Sequence, residues 1–178
     1  MRKTVDETWV HLEAMGYSMP RDSEGRPFLP TTMPSYDDDL PRFSFFRTWV
    51  HDNWSGLSLP RTYFGRSLAE RASFVDTDLS ESRMCWNDFD DCDFSGADLS
   101  GCDMRASIFR RCSFAQAVLL GADLRRSTFD GCDFTGASLA GAVAEATGSR
   151  ARLRDLLNAE QRATVSWVED AGLEPPGG

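Results

Sequence analysis

From Leu59 onward every fifth residue is large and apolar. The series runs Leu59, Phe64, Ala69, Phe74, Leu79, Met84, Phe89, Phe94, Leu99, Met104, Phe109, Phe114, Leu119, Leu124, Phe129, Phe134, Leu139, Ala144, and only the two alanines break the rule. Two residues before each member lies a small one, from Thr62 and Ser67 through Cys132 to Ala142, with Leu57 and Asn87 the oversized exceptions. The remaining positions are mostly Asp, Arg, Ser and Gly. A period of five fits neither the 3.6-residue helix nor the two-residue strand. It predicts a chain that turns a corner every five residues and points one large and one small side chain inward per side.

A second period, of twenty, predicts four sides per coil. Leu59, Leu79, Leu99, Leu119 and Leu139 form one column, and Phe74, Phe94, Phe114 and Phe134 another. Phe89, Phe109 and Phe129 follow Ala69 in a third, and Phe64, Met84, Met104 and Leu124 make a looser fourth. Like stacks on like when successive coils lie ~4.8 Å apart, the spacing of neighbouring strands. The expected fold class is therefore an all-β repeat, a quadrilateral β-helix of about four to five coils and ~21 Å of axis. Helical repeat arrays need periods of ~33–47 residues, and none is present. Eight of the twelve phenylalanines fall in the inward series, and each buried Phe or Leu contributes ~1.5–3 kcal/mol before entropy is counted.

The units Ala97-Asp98-Leu99, Ala122-Asp123-Leu124, Cys92-Asp93-Phe94 and Cys132-Asp133-Phe134 resemble the A(D/N)LxX motif of the pentapeptide-repeat proteins. The resemblance covers roughly residues 57–144 without a slip in register. It implies the right-handed quadrilateral β-helix of that family. The family is functionally mixed, so the resemblance bears on architecture more than on activity.

Three segments follow: 1–56, the repeat at 57–144, and 145–178. In the first, Thr4 with Glu7 predicts a capping box, Val5, Trp9 and Leu12 share a helix face, and Gly16 occupies the C′ position. Residues 17–41 are proline-rich, with an acidic run at 37–39, and read as loop. Phe43, Phe45, Phe46, Trp49 and Trp54 form an aromatic cluster ahead of the first coil, expected to cover its open end. After Ala144 helical signals return: Ser149 caps a turn with Leu153, Leu156 and Leu157, and Asn158 with Gln161 makes a second capping box. Val165 with Trp167 or Val168 then gives an apolar helix side before Gly172. Leu156, Leu157, Val165, Trp167 and Val168 either cap the coil within one chain or pair with a second copy as a homodimer.

Charge narrows the partners. A formal net charge of −9 and a pI near 4.7 disfavour direct binding to nucleic acid or to an anionic membrane and favour a protein partner with a basic surface. No apolar run resembles a signal peptide or a membrane span, and five cysteines without a secretory signal read as reduced thiols in a cytoplasmic protein. Cys92, Cys112 and Cys132 should stack as an inward ladder with Cys102 on the opposite wall, which lacks the close local pairs of a zinc site. No metal or cofactor is expected. Cys85 falls at an outward position and reads as the reactive thiol. His11 and His51 lie outside the repeat without a partnered nucleophile, so the expectation is a protein that is not an enzyme.

Among outward residues, Asp90, Arg110 and Asp130 form a column of alternating charge, and Asp91 with Arg111 repeats it. Asp103 stacks on Asp123 and Arg105 on Arg125, where the charge is not expected to cancel. Trp86, Ile108, Val118 and Leu120 are the outward apolar residues. The candidate partner-binding residues are Asp78, Asp88, Asp90, Asp91, Asp98, Asp103 and Asp123. Two functions follow. Some members of the family protect type II topoisomerases from quinolones and other poisons as acidic DNA mimics, so the resemblance implies gyrase as one partner. The alternative is an immunity or adaptor protein with an unrelated protein partner. Residues 70–144 carry 13 acids and 7 bases, about half the charge density of B-DNA at one per ~1.7 Å.

Overall fold

The computed structural model describes residues 1–34, 44–45, 48–146 and 152–169. Phe43, Phe46, the acidic run at 37–39, Ser149 and the tail beyond 169 lie outside the described residues, as do the side chains of Phe45 and Trp49. Helix α1 (Val5–Ala14) precedes short strands β1 (Ser44–Phe45), β2 (Thr48–Val50), β3 (Tyr63–Phe64), β4 (Leu68–Glu70), β5 (Asp88–Asp90), β6 (Ile108–Arg110), β7 (Thr128–Asp130) and β8 (Val143–Glu145). Helices α2 (Arg152–Leu156) and α3 (Ala159–Thr164) and strand β9 (Ser166–Val168) follow.

These elements wind into a right-handed β-helix of about five turns. Strands β2, β4, β5, β6 and β7 form one parallel wall in that order. Its register pairs Ala69 with Phe89, Phe89 with Phe109 and Phe109 with Phe129. The other walls are ladders of single bridges at the same spacing, such as Asp78 with Asp98 and Asp98 with Val118. We number the sides by their inward columns: side 1 carries Leu79 and Leu99, side 2 Met84 and Met104, side 3 Phe89 and Phe109, side 4 Phe94 and Phe114.

Every member of the inward series is buried, as is the small series two residues before it. Phe74, Phe94, Phe114 and Phe134 stack at centroid distances of 4.8, 5.2 and 4.9 Å, with rings within 8° of parallel. Phe89, Phe109 and Phe129 stack at 5.0 and 5.1 Å and meet the first column edge-on, as at Phe94–Phe89, 5.3 Å. Both arrangements suit the aromatic quadrupole. Trp54 is the first rung of the side 4 column, 5.8 Å from Phe74, and belongs to the core as well as to the end.

The small series also does hydrogen-bonding work. Ser107 Oγ donates to Met84 O (2.6 Å), Thr77 Oγ1 to Trp54 O (2.7 Å) and Cys102 Sγ to Leu79 O (3.0 Å), each reaching the turn before. The oversized Asn87 uses its length: Oδ1 accepts from Ser67 N (2.7 Å), while Nδ2 donates to Phe64 O (2.8 Å) and Cys85 O (3.1 Å). Its amide is buried and satisfied on both ends, as buried polar groups must be.

The two ends close differently. α1 carries the Thr4–Glu7 capping box and buries Trp9 and Leu12, with Val5 packed beside them. Gly16 has φ +87, the left-handed conformation glycine adopts at low cost. α1 is stapled to the first turn by Lys3 N donating to Gly56 O (2.6 Å) and Ser58 N donating to Thr8 Oγ1 (2.9 Å).

At the other end Asn158 and Gln161 form the expected capping box, but the segment after Thr164 is strand and not helix. β9 pairs in parallel with β8, Ala144 opposite Trp167. The apolar alternation of Val165, Trp167 and Val168 is better satisfied by extending side 2 by one rung than by a helix face. Gln161 Nε2 donates to Phe134 O (2.7 Å) and Ala137 O (3.0 Å), covering carbonyls left open where the coil stops. Leu157 and Val165 are buried against their own chain's last turn, and Leu156 and Trp167 are partly buried there. Val168 is half-buried on the β9 edge.

Candidate protein-binding surface

Sorting the outward residues by side shows how charge is distributed. Sides 4 and 1 adjoin and together carry Asp52, Asp76, Asp93, Asp133, Asp78, Glu81 and Asp98 against one base, Arg61. Arg61 is engaged, donating from Nε to Pro30 O and lying 3.5 Å from Glu81. Side 2 is the reverse, with Arg66, Arg83, Arg105, Arg125 and Arg126 against Asp103, Asp123 and Glu145. Side 3 alternates, with Asp90 opposite Arg110 and Arg110 opposite Asp130.

The seven candidate aspartates therefore do not share one surface. Asp78 and Asp98 are neighbours on side 1. Asp98 Oδ1 accepts from Ser100 N (3.0 Å), and Asp78 Oδ1 accepts from Ser80 N (3.0 Å) with Arg2 at 3.9 Å. Asp88, Asp90 and Asp91 lie on or beside side 3. Arg111 there donates to both Asp90 and Asp91 (2.8 Å for Asp91), and its guanidinium holds the Asp91 carboxyl below the usual carboxylate range.

Asp103 and Asp123, on side 2, overturn the expectation that charge is uncancelled there. Arg105 donates bidentately to Asp103 (2.8 and 2.8 Å) and Arg125 to Asp123 (2.8 and 2.6 Å). Residues two apart on one side project in the same direction, so each Asp finds its Arg within its own unit before the next coil. Asp103 is buried, with Arg83 at 3.6 Å. Burial pushes its carboxyl up, but hydrogen bonds and charge from Arg105 hold it below the usual range.

Asp52, Asp76, Glu81, Asp93 and Asp133 complete the acidic surface, and sequence reasoning left them out of the candidate set. Asp133 Oδ1 accepts from Thr135 Oγ1 (2.6 Å) and Thr135 N (2.8 Å), bonds that lower its pKa. The signal was available: writing the sequence in rows of twenty places these acids in the blocks of five columns that make two adjoining sides.

Cys85 departs from expectation too. Its register is outward, yet it is 3% exposed, at the bottom of a concavity it lines together with Trp86, Arg105 and Arg125. Cys92, Cys112 and Cys132 form the inward ladder and donate to carbonyls of the preceding turn (3.5, 3.5 and 3.4 Å). Hydrogen bonding with the Cys132 and Cys92 thiols, together with burial, pushes Cys112 well up, and burial does the same to Cys102. Among the described residues no group of His, Cys, Asp and Glu has the arrangement of a metal site. No helix among them is long and apolar enough to cross a membrane.

Parallel turns of twenty residues, four inward columns and mixed outward faces define a β-helical repeat protein. The Pentapeptide repeats family model matches residues 56–105 and 107–143 in eight copies, and the chain belongs to the pentapeptide-repeat family through this region. Similar solved structures include a pentapeptide-repeat protein, Rfr23, from the cyanobacterium Cyanothece 51142, at 13% identity over 54% of this chain and 82% of that one (TM-score 0.45). HetL of Nostoc sp. strain PCC 7120, involved in heterocyst differentiation regulation, is 18% identical over 57% of this chain and 48% of that one (TM-score 0.44). QnrB1, a plasmid-mediated fluoroquinolone resistance protein, is 17% identical over 58% and 65% (TM-score 0.32). No curated protein matches the chain by sequence.

Proposed function

We propose that this protein is a non-enzymatic binding module whose acidic sides 4 and 1 dock on a basic groove of a partner protein that ordinarily receives nucleic acid. The observation that carries this is the segregation of seven acids onto two adjoining sides, against Arg61 of the coil and Arg2 reaching in from the N-terminal segment, both engaged. About five turns at ~4.8 Å give about one carboxylate per ~3–4 Å of axis, close to the ~3.4 Å phosphate spacing along one DNA strand. The whole rod is a diluted copy of a duplex, and this half is a fair copy of one strand. A rigid, pre-formed acidic strip also keeps the ordering cost of binding low.

The first partner to test is a type II topoisomerase, on the family resemblance and the strand-like charge. DNA gyrase supercoiling is measured with and without a quinolone at protein concentrations on the order of micromolar, for the wild type and for Asp78→Lys/Asp98→Lys. Inhibition or protection by the wild type and its loss in the variant is the expected result. Neither effect in the wild type excludes the topoisomerase. Pull-down with wild type and variant then tests the immunity or adaptor reading, which predicts a partner captured independently of Asp78 and Asp98.

A further inference from the structure

Side 2 holds a second feature that is independent of the acidic strip. A concavity of about 390 Å³ is lined by Trp86, Arg105, Arg125 and Arg126, floored by Cys85, and closed at the last turn by Glu145 and Glu169. Its size falls in the range of small-molecule sites, ~300–1,000 Å³.

Three observations point to a ligand. First, Trp86 is 62% exposed, a large aromatic face open beside three arginines. Its φ of +63 is the left-handed conformation shared by every corner of the coil, and its corner column, Arg66, Trp86, Ala106 and Arg126, is the one of the four that contains no glycine. Second, Arg105 and Arg125 are stacked in one column with their Nε/Nη2 edges clamped by Asp103 and Asp123. The clamps fix the two guanidinium planes one turn apart, with Asp123 also 3.6 Å from Arg105, and leave Nη1 of each without a hydrogen bond among the described residues, open to an oxyanion. Third, the Arg126 guanidinium makes no hydrogen bond or ion pair among the described residues, while its backbone N donates to Glu145 Oε2 (2.6 Å).

We propose that this concavity binds an anionic group carried on a planar ring. The carboxylate or phosphate bridges Arg126 and the outer edges of Arg105 and Arg125, and the ring stacks on the Trp86 indole. Glu145 and Glu169 at the closed end repel a long polyanion, so a compact ligand is selected over nucleic acid.

Isothermal titration calorimetry and tryptophan fluorescence of the full chain test this with four probes: AMP, 2-naphthoate, orthophosphate and adenosine. The expected result is saturable binding of AMP or 2-naphthoate, at least about tenfold tighter than orthophosphate or adenosine. AMP alone identifies a phosphate source, and naphthoate alone a carboxylate. Trp86→Gly and Arg126→Gln should each weaken that binding about tenfold while Tm stays level or rises, since glycine relieves the strain at position 86. The proposal is overturned if neither ring-bearing anion saturates, if orthophosphate binds as well as they do, or if both variants bind like the wild type.

Discussion

The acidic half of the coil, sides 4 and 1, and the arginine side, side 2, are built on the same backbone at the same pitch. Inside, both bury one large and one small residue per side, the large ones Phe and Leu under most of the acidic half and Phe64, Met84, Met104, Leu124 and Ala144 under side 2. Outside they differ in almost every respect. The acidic half has glycine at six of its ten corners (Gly56, Gly96 and Gly136; Gly101, Gly121 and Gly141). Asp78, Asp93, Asp98 and Asp133 there spend their carboxylates mainly on N–H groups two residues on, and of the four only Asp78 has an arginine, Arg2, within 4 Å among the described residues. Side 2 has no glycine at its corner, and its aspartates are consumed by arginines. A common interior thus supports two surfaces that diverge freely, because outward residues alter neither the pitch nor the packing beneath them.

The largest expected effect lies where the halves are the same. Phe94→Ala, under side 4, should cost about 3–5 kcal/mol, and Met104→Ala, under side 2, about 2–5 kcal/mol, both measured by chemical denaturation. A loss of less than about 1 kcal/mol in either would show that the two halves do not rest on one packed core.

Next is one substitution made on each half. Asp103→Asn strips Arg105 and Arg83 of a buried partner and should cost about 1–2 kcal/mol, a figure reduced for the exposure of Arg105. Asp98→Asn on side 1 should stay within about 0.5 kcal/mol. Equal effects would erase the distinction. The same pair predicts a pH dependence. The folded-state pKa of Asp103 is depressed, so its contribution is complete above the unfolded value, ~3.9, and is lost as pH falls through the lower folded value. Acid titration of wild type and Asp103→Asn should converge there.

A smaller effect of opposite sign is expected at the corners. Trp86→Gly should raise stability by about 0.5–1 kcal/mol, whereas Gly96→Ala, at φ +67, should lower it by about 1 kcal/mol. A destabilised Trp86→Gly would mean that the indole packs more than it strains. Least of all should change on adding a thiol reagent. All five cysteines are buried, so native protein should gain no adduct and unfolded protein five; a fast-reacting Cys85 would show that the side 2 concavity opens.

The inward architecture was legible in the sequence because a solenoid repeats its chemistry at a fixed interval, and burial selects apolar residues at that interval only. Even the oversized Asn87 stood out, though its three hydrogen bonds did not. Three things were hidden. The cap after Thr164 alternates apolar residues over only four positions, too few to separate strand from helix without knowing that an open rung waits beside it. The burial of Cys85 depends on how the side chains around its concavity lie, which spacing does not encode. The pairing of Asp103 with Arg105 needed the projection of residues two apart, and the coil-to-coil neighbour had drawn attention instead. For the surface, the acidic residues were visible one by one, while their gathering onto two sides emerges only when the outward positions are sorted at the twenty-residue period.

The unbroken twenty-residue turn has a further consequence, for how such a chain can change in length. Every turn from Leu59 to Ala144 presents the same hydrogen-bonding face above and below, while the flanking segments reach in from the two ends, Arg2 and Met33 to Asp78 and Arg83 and α2 to β7. Duplicating the twenty-residue window between them, 92–111, would therefore add a rung of ~4.8 Å without a new junction to solve. The rod behaves as a ruler, and the reach of its acidic strip can be set by copying and deleting turns while the two ends stay as they are.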